Sequence, residues 1–365
     1  MNSLGIYFHV PFCGKKCGYC DFYSVKYSRE LACGYVDAVL RNIRNYSDSN
    51  YIVDTIYFGG GTPSLLNAEQ IEKILSETSN SFHIAENPEI TLEANPNTLN
   101  SEKLRDLHNI GINRLSFGVQ SLVDKELKFL GRSHDSKRAL TAVYDAYNAG
   151  FENISCDLMI GIPMQTHESM KYSISGLAEL PIQHISAYIL KTEKGTPFDC
   201  NEIKNILPDE DFTSELYLEM VRLMEEHGFI QYEVSNFSKP GFESKHNCRY
   251  WKCLDYLGIG PGAHSCFKGK RFAAEKNLRL FIDSCVQPNF ITDETPCGFE
   301  ERAMLRLRLR DGLNIAETGS HRFEIEKKIP RLVEAGYAEF NGTTLSLTPK
   351  GFLMSNSIIG YLIFD

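Results

Sequence analysis

Gly5-Ile6-Tyr7-Phe8-His9-Val10-Pro11-Phe12-Cys13-Gly14-Lys15-Lys16-Cys17-Gly18-Tyr19-Cys20 opens on an apolar run and passes directly into three cysteines. The run over 5–10, stopped by Pro11, reads as a buried strand. Five more runs of this character follow at 54–58, 89–93, 114–119, 154–160 and 184–190. Amphipathic stretches separate them. Asn67 with Gln70 three residues on predicts a capping box opening a helix through Leu75. Gly111, Gly150 and Gly228 stand where helices near Leu107, Tyr147 and Glu225 should stop, in the position that favours a left-handed residue. Six strand–helix units predict an α/β fold with a parallel sheet, right-handed crossovers and a partial (β/α)6 barrel rather than a closed eightfold one. In such folds chemistry gathers where the strands end.

The rest of the chain sets bounds on function. Its 365 residues correspond to about two domains. With 42% apolar and 23% charged residues it has an ordinary globular balance. A net charge of −9 repels nucleic acid and anionic surfaces, so an anionic ligand needs a local cation. No run approaches the roughly 20 apolar residues of a membrane span, which leaves only peripheral membrane association open. The start, Met1-Asn2-Ser3-Leu4-Gly5, lacks the basic and apolar parts of a signal peptide, so a cytoplasmic protein is expected. From Phe290 the character changes to helices over 300–310 and 325–335, the second closed by Gly336. Two short strands, 337–340 and 345–347, flank the turn dipeptide Asn341-Gly342. This small helical, winged-helix-like module carries 11 acids against 9 bases over 290–365, which gives no basic face for DNA. It reads as a packing or lid domain.

For eleven cysteines in 365 residues, chance supplies roughly 0.01 triplets spaced as Cys13, Cys17 and Cys20. Three thiolates at this spacing suit one face of an iron–sulfur cube and leave the fourth iron without a protein ligand. Zinc is the alternative, but a structural zinc site wants four ligands, and no second cysteine pair has the spacing. An open iron suits a ligand presenting an amine and a carboxylate, as the methionine end of S-adenosylmethionine (SAM) does.

With these motifs the sequence resembles the radical SAM superfamily. More stretches join the likeness: Tyr7 to Phe12, Asp21 to Ser24, Phe58-Gly59-Gly60-Gly61-Thr62-Pro63-Ser64, Glu93-Ala94-Asn95-Pro96, Phe117 to Ser121 and Asp157 to Pro163. Together they are similar to the subfamily that contains oxygen-independent coproporphyrinogen III oxidase and the HemW-type haem chaperones. The resemblance implies a [4Fe–4S] cluster on Cys13, Cys17 and Cys20. It implies SAM contacts at Tyr7, Gly60, Gly61, Thr62, Glu93, Gln120, Arg132 and Asp157, and a reduced flavodoxin- or ferredoxin-type electron donor. The residue chemistry agrees. Three glycines let backbone N–H groups approach a carboxylate, the acids suit an amine or ribose hydroxyls, and Arg132 is a permanent cation.

Two features divide the subfamily. The oxidase pattern adds a cysteine two residues after the triplet, where this chain has Phe22, and the oxidase carries a longer arm than the 12 residues before Cys13. His246-Asn247-Cys248-Arg249-Tyr250-Trp251 is similar to the H-N-x-x-Y-W motif associated with haem in HemW-type proteins. His246 offers an axial nitrogen, Tyr250 and Trp251 offer flat faces, and Arg249 or Lys245 could meet propionates. A histidine hydrogen-bonded in packing is the other reading, and Cys248 and Cys253 are rival ligands. The resemblance implies a haem chaperone delivering to an acceptor protein, with SAM-dependent oxidative decarboxylation of coproporphyrinogen III as the alternative; no catalytic residue is assigned. The expected division is a barrel over 1–235, a haem-motif segment over 236–288 and a C-terminal module over 289–365. Cys33, Cys156, Cys200, Cys266, Cys285 and Cys297 read as structural.

Overall fold

The computed structural model describes residues 2–364. Six parallel strands form the frame: β1 (Asn2–Val10), β2 (Tyr51–Gly60), β3 (His83–Ala94), β4 (Arg114–Gln120), β5 (Asn153–Ile160) and β6 (His184–Ile189). Helices lie between them, among them α1 (Arg29–Tyr46) and α2 (Ala68–Ser81). The sheet does not stop there. On the far side of β6 run β7 (Ile230–Gln231) and β8 (Asn236–Ser238), and beside β1 run β9 (Tyr256–Ile259), β10 (His264–Phe267), β11 (Lys270–Ala274) and β12 (Asn289–Asp293). The order β12-β11-β10-β9-β1-β2-β3-β4-β5-β6-β8-β7 leaves two ends that do not pair, so the barrel is partial. β9 is parallel to β1, whereas β7, β8 and β10–β12 run antiparallel to their neighbours. The 236–288 stretch thus supplies strands on both flanks of the six-stranded frame, inside the edge strands β12 and β7.

Strand alternation sorts the side chains. Leu4, Ile6, Phe8 and Val10 of β1, with Leu115, Phe117 and Val119 of β4, point outward into a continuous apolar layer beneath the helices and are fully buried. Asn67 caps α2, with both bonds of the box present. The helix runs six residues beyond Leu75, and within that extra stretch Thr78 and Ser79 turn their hydroxyls back onto the Ile74 and Leu75 carbonyls at 2.7 and 3.0 Å. Gly111, Gly150 and Gly228 take φ of 101°, 103° and 83°, the left-handed region that ends a helix.

The C-terminal module holds α3 (Phe299–Arg306), α4 (Arg322–Glu334) and a three-stranded sheet, β13 (Leu313–Asn314), β14 (Ala338–Phe340) and β15 (Thr344–Leu347), in the order β13-β15-β14. The hairpin stands where Asn341-Gly342 predicts it; β13 carries no such signal. The helix expected to reach 310 stops at Arg306. Residues 308–310 are drawn off to bond the backbone of 232–234, Val234 N–H donating to the Arg308 carbonyl and Arg310 N–H to that of Tyr232. No helix among the described residues is long and apolar enough to cross a membrane.

Candidate cofactor site and the motif helix

The triplet lies on the loop leaving β1, and two contacts tie it to other strand ends. Cys13 Sγ sits 3.6 Å from Thr62 Oγ1, just past β2. Arg132 donates to Cys17 Sγ at 3.5 Å and to the Gly118 carbonyl of β4, while its buried Nε has no partner. Glycines let these pieces close up. A Cβ on Gly61 would lie 2.6 Å from the Phe12 carbonyl oxygen, and one on Gly59 would meet Tyr7, Tyr57 and Glu93. Gly61 and Thr62 N–H donate to the Val10 and Phe12 carbonyls at 2.9 and 2.7 Å.

Inward from this mouth the lumen is polar. Register neighbours Tyr7 and Tyr57, Glu93 and Ser116, and Asp157 and Ser186 all face it. A barrel interior that is simply packed is filled by Val, Ile and Leu; this one is built to hold polar atoms. Tyr57 donates to Glu93 at 2.8 Å, and Ser116 donates to Asp157 at 3.3 Å. Burial pushes Glu93 up to about 7 and Asp157 up to about 6, so both can change protonation near neutrality. Gln120, buried at the end of β4, holds φ of 74°, a conformation rare outside glycine. Tyr7 hydrogen-bonds His9 Nδ1 at 3.2 Å.

These contacts fit the expected cofactors: three thiols on one loop, an orphaned guanidinium nitrogen beside one of them, and glycines that let the end of β2 close against the loop at Phe12. No three side chains among the described residues converge on a single-ion position. A cubane does not need that, since each thiolate takes its own iron.

The motif residues lie elsewhere. They form a short helix, Lys245–Trp251, which closes the opposite, amino-terminal end of the lumen through contacts to Thr55, Glu89 and Ser3. Glu89, where β3 resumes its pairing with β2 after a register shift, accepts the Lys245 and His246 N–H groups at 3.1 and 3.0 Å. His246 is fully buried. Its Nδ1 bonds Thr55 at 2.9 Å, its Nε2 bonds Tyr250 OH at 2.8 Å, and its ring stacks on Tyr57 at 5.2 Å. Burial, then the nearby Arg249, holds its pKa down at about 3. Both ring nitrogens are therefore in use. Arg249 is also committed: it pairs with Asp54 at 2.5 Å and donates to Ser3 and to the Asp255 carbonyl. Gly5 makes room for it, as a Cβ there would lie 2.6 Å from Arg249 Cδ. Asn247 and Trp251 are partly exposed. The outer face of the helix borders a cleft of about 530 Å³ lined by Lys245, Cys248, Lys252, Tyr232, Leu309 and Asp311, among others.

The structure thus joins Cys13, Cys17, Thr62, Arg132, Glu93, Asp157 and Tyr7 around the mouth and upper lumen, and sets His246 and Tyr250 at the floor. Tyr57, Ser116 and Ser186 were not singled out from sequence, although strand parity with Glu93 and Asp157 marks them as inward-facing. Residues 7–175 match the Radical SAM superfamily and residues 299–354 the HemN C-terminal domain. The chain is 32% identical to heme chaperone HemW of Lactococcus lactis, over 98% of this chain and 97% of that one. It is 34% identical to heme chaperone HemW of Bacillus subtilis, over 97% of each. The chain belongs to the HemW family of radical SAM proteins. Its fold is similar to that of coproporphyrinogen III oxidase (HemN) from Escherichia coli, with a TM-score of 0.83 at 21% identity over all of this chain and 91% of that one. That likeness confirms the partial barrel with a C-terminal domain.

Proposed function

We propose that this chain is a haem chaperone, binding haem and a SAM-ligated [4Fe–4S] cluster and passing haem to an acceptor protein. The observation that carries the reading is the full-length likeness to proteins named heme chaperone HemW. Cys13, Cys17 and Cys20 would hold the cluster. Tyr7, Gly60, Gly61, Thr62, Glu93, Gln120, Arg132 and Asp157 would hold SAM. Held by Cys13, Cys17 and Cys20 and reduced by a flavodoxin- or ferredoxin-type donor, such a cluster would supply one-electron chemistry toward SAM bound beside it. Arg132 offers a fixed cation to a carboxylate at the mouth, and Glu93 and Asp157 offer acceptors deeper in the lumen.

For haem, the commitments of His246 and Arg249 favour the outer face of the motif helix. Lys245 and Lys252 would meet propionates there. Cys248, pushed up to about 11 chiefly by burial, would ionise on meeting iron. His246, Asn247, Tyr250 and Trp251 would then form the wall behind the macrocycle, with His246 and Tyr250 fixing the helix. Anaerobic haem titration followed by absorbance tests this. Saturable uptake is expected, weakened at least tenfold by Lys245→Ala with Lys252→Ala. Absence of uptake overturns the reading, as does protoporphyrinogen formation from coproporphyrinogen III and SAM, the outcome of the oxidase alternative.

A further inference from the structure

Behind the motif helix, away from the triplet, lies a second group of thiols that sequence spacing conceals. Cys266 on β10 and Cys297, just before α3, bring their sulfurs to 3.9 Å. Cys253, two residues past Trp251, is the third member, its carbonyl 4.0 Å from Cys297 Sγ. Cys253 and Cys297 are two of the five non-glycine residues with positive φ among the described residues, at 52° and 65°. Such conformations persist only where the surroundings hold them. The hold at Cys297 is visible: its N–H donates to Glu301 at 2.7 Å, Arg302 donates to its carbonyl, and Glu301 pairs with Arg271. A cavity of about 280 Å³ reaches two of the three, Cys253 and Cys266, and is lined also by Tyr250, His264, Arg271 and Glu301, among others.

We propose that Cys266 and Cys297 are a redox site that closes to a disulfide in the presence of a low-molecular-weight disulfide such as oxidised glutathione. Cys297, the less buried of the two, attacks glutathione disulfide, forming a mixed disulfide and releasing one glutathione thiolate. Cys266 then attacks the Cys297 sulfur and expels the second. Two protein thiols and one glutathione disulfide become one protein disulfide and two glutathione thiols, with both protein protons carried off on the products. Burial holds both thiols protonated at neutral pH, so the exchange is slow, although Arg271 beside Cys266 favours its ionised form. The bond spans 31 residues and ties the entry to the C-terminal module onto the sheet edge beside the motif helix.

The test incubates the cluster-loaded protein anaerobically with excess oxidised glutathione, then alkylates it and maps its peptides by mass spectrometry. The exposed Cys33 and Cys285 report that the reagent has acted. The expected product joins Cys266 to Cys297 in most molecules, and still does so in Cys253→Ser. Free, alkylated Cys266 after Cys33 and Cys285 have reacted overturns the proposal. So does a persistent glutathione adduct on Cys297, or loss of the cross-link in Cys253→Ser.

Discussion

Replacing Gly61 by alanine tests whether the end of β2 and the triplet loop form one binding unit. The new Cβ would lie 2.6 Å from the Phe12 carbonyl oxygen and 3.0 Å from its carbon and nitrogen. All three atoms are backbone, so no side chain can swing aside. Ordinary contact begins at 3.4 Å, and 3.4 − 2.6 leaves 0.8 Å to be found by separating the strand end from the loop. That shift strains the 2.7 Å bond from Thr62 N–H to Phe12 and the contact between Thr62 and Cys13. Overpacking of this kind costs about 1–3 kcal/mol. If cofactor binding requires the closed arrangement, the same strain weakens SAM by about 5- to 150-fold. Gly14→Ala is the control, on the same loop but with nothing within 4 Å of its Cβ. Equilibrium dialysis of SAM against anaerobically reconstituted protein, with iron and sulfide assayed in parallel, reads the effect. Equal SAM affinity in Gly61→Ala and Gly14→Ala would refute the reasoning.

Three further outcomes follow from the buried groups. Glu93 has its folded pKa raised to about 7, so the folded state holds more protons than the unfolded between pH 4.5 and 7, and stability falls as pH rises through that window; Glu93→Gln should gain thermal midpoint over wild type progressively from pH 5 to 8 while losing SAM affinity, and a pH-independent difference in midpoint speaks against a buried, titrating carboxylate. His246 has its folded pKa lowered to about 3, so its contribution is complete above pH 6.5 and is lost as pH falls toward 3; His246→Asn should lower the midpoint at pH 7.5 and narrow that deficit at pH 5, as scanning calorimetry at the two values would show. Arg249→Met leaves Asp54, 37% exposed and so still partly hydrated, without its partner; a loss of about 3 kcal/mol in urea unfolding is expected, at the low end for a broken buried pair, and a loss under 1 kcal/mol would mean that the motif helix is not anchored through this residue.

What could be read in advance depended on whether the signal was local. Cys13, Cys17 and Cys20 stand out because the proposed cluster ligands sit on one short loop, and Asn67 with Gln70 because a cap involves four consecutive residues. The six strands were legible from their apolar runs, and Gly111, Gly150 and Gly228 from a backbone geometry that few other residues adopt. Position along the strands also told which residues to suspect, since polar residues following a buried run have little else to do.

The fold alone decided the rest, because it turned on which distant segments meet. Nothing in 256–259 says that it pairs beside β1 rather than beside β6, and nothing in 308–310 says that it abandons a helix to bond 232–234. The motif histidine looks like a free ligand in one dimension; only packing against Thr55, Tyr57 and Tyr250 uses both its nitrogens. Cys253, Cys266 and Cys297 look unrelated because 44 residues separate the outer two, and they become neighbours only when β10 and the entry to α3 fold against the end of the motif helix. Sequence determines what is near along the chain, while burial and hydrogen-bond demand, satisfied across the whole sheet, determine what is near in space.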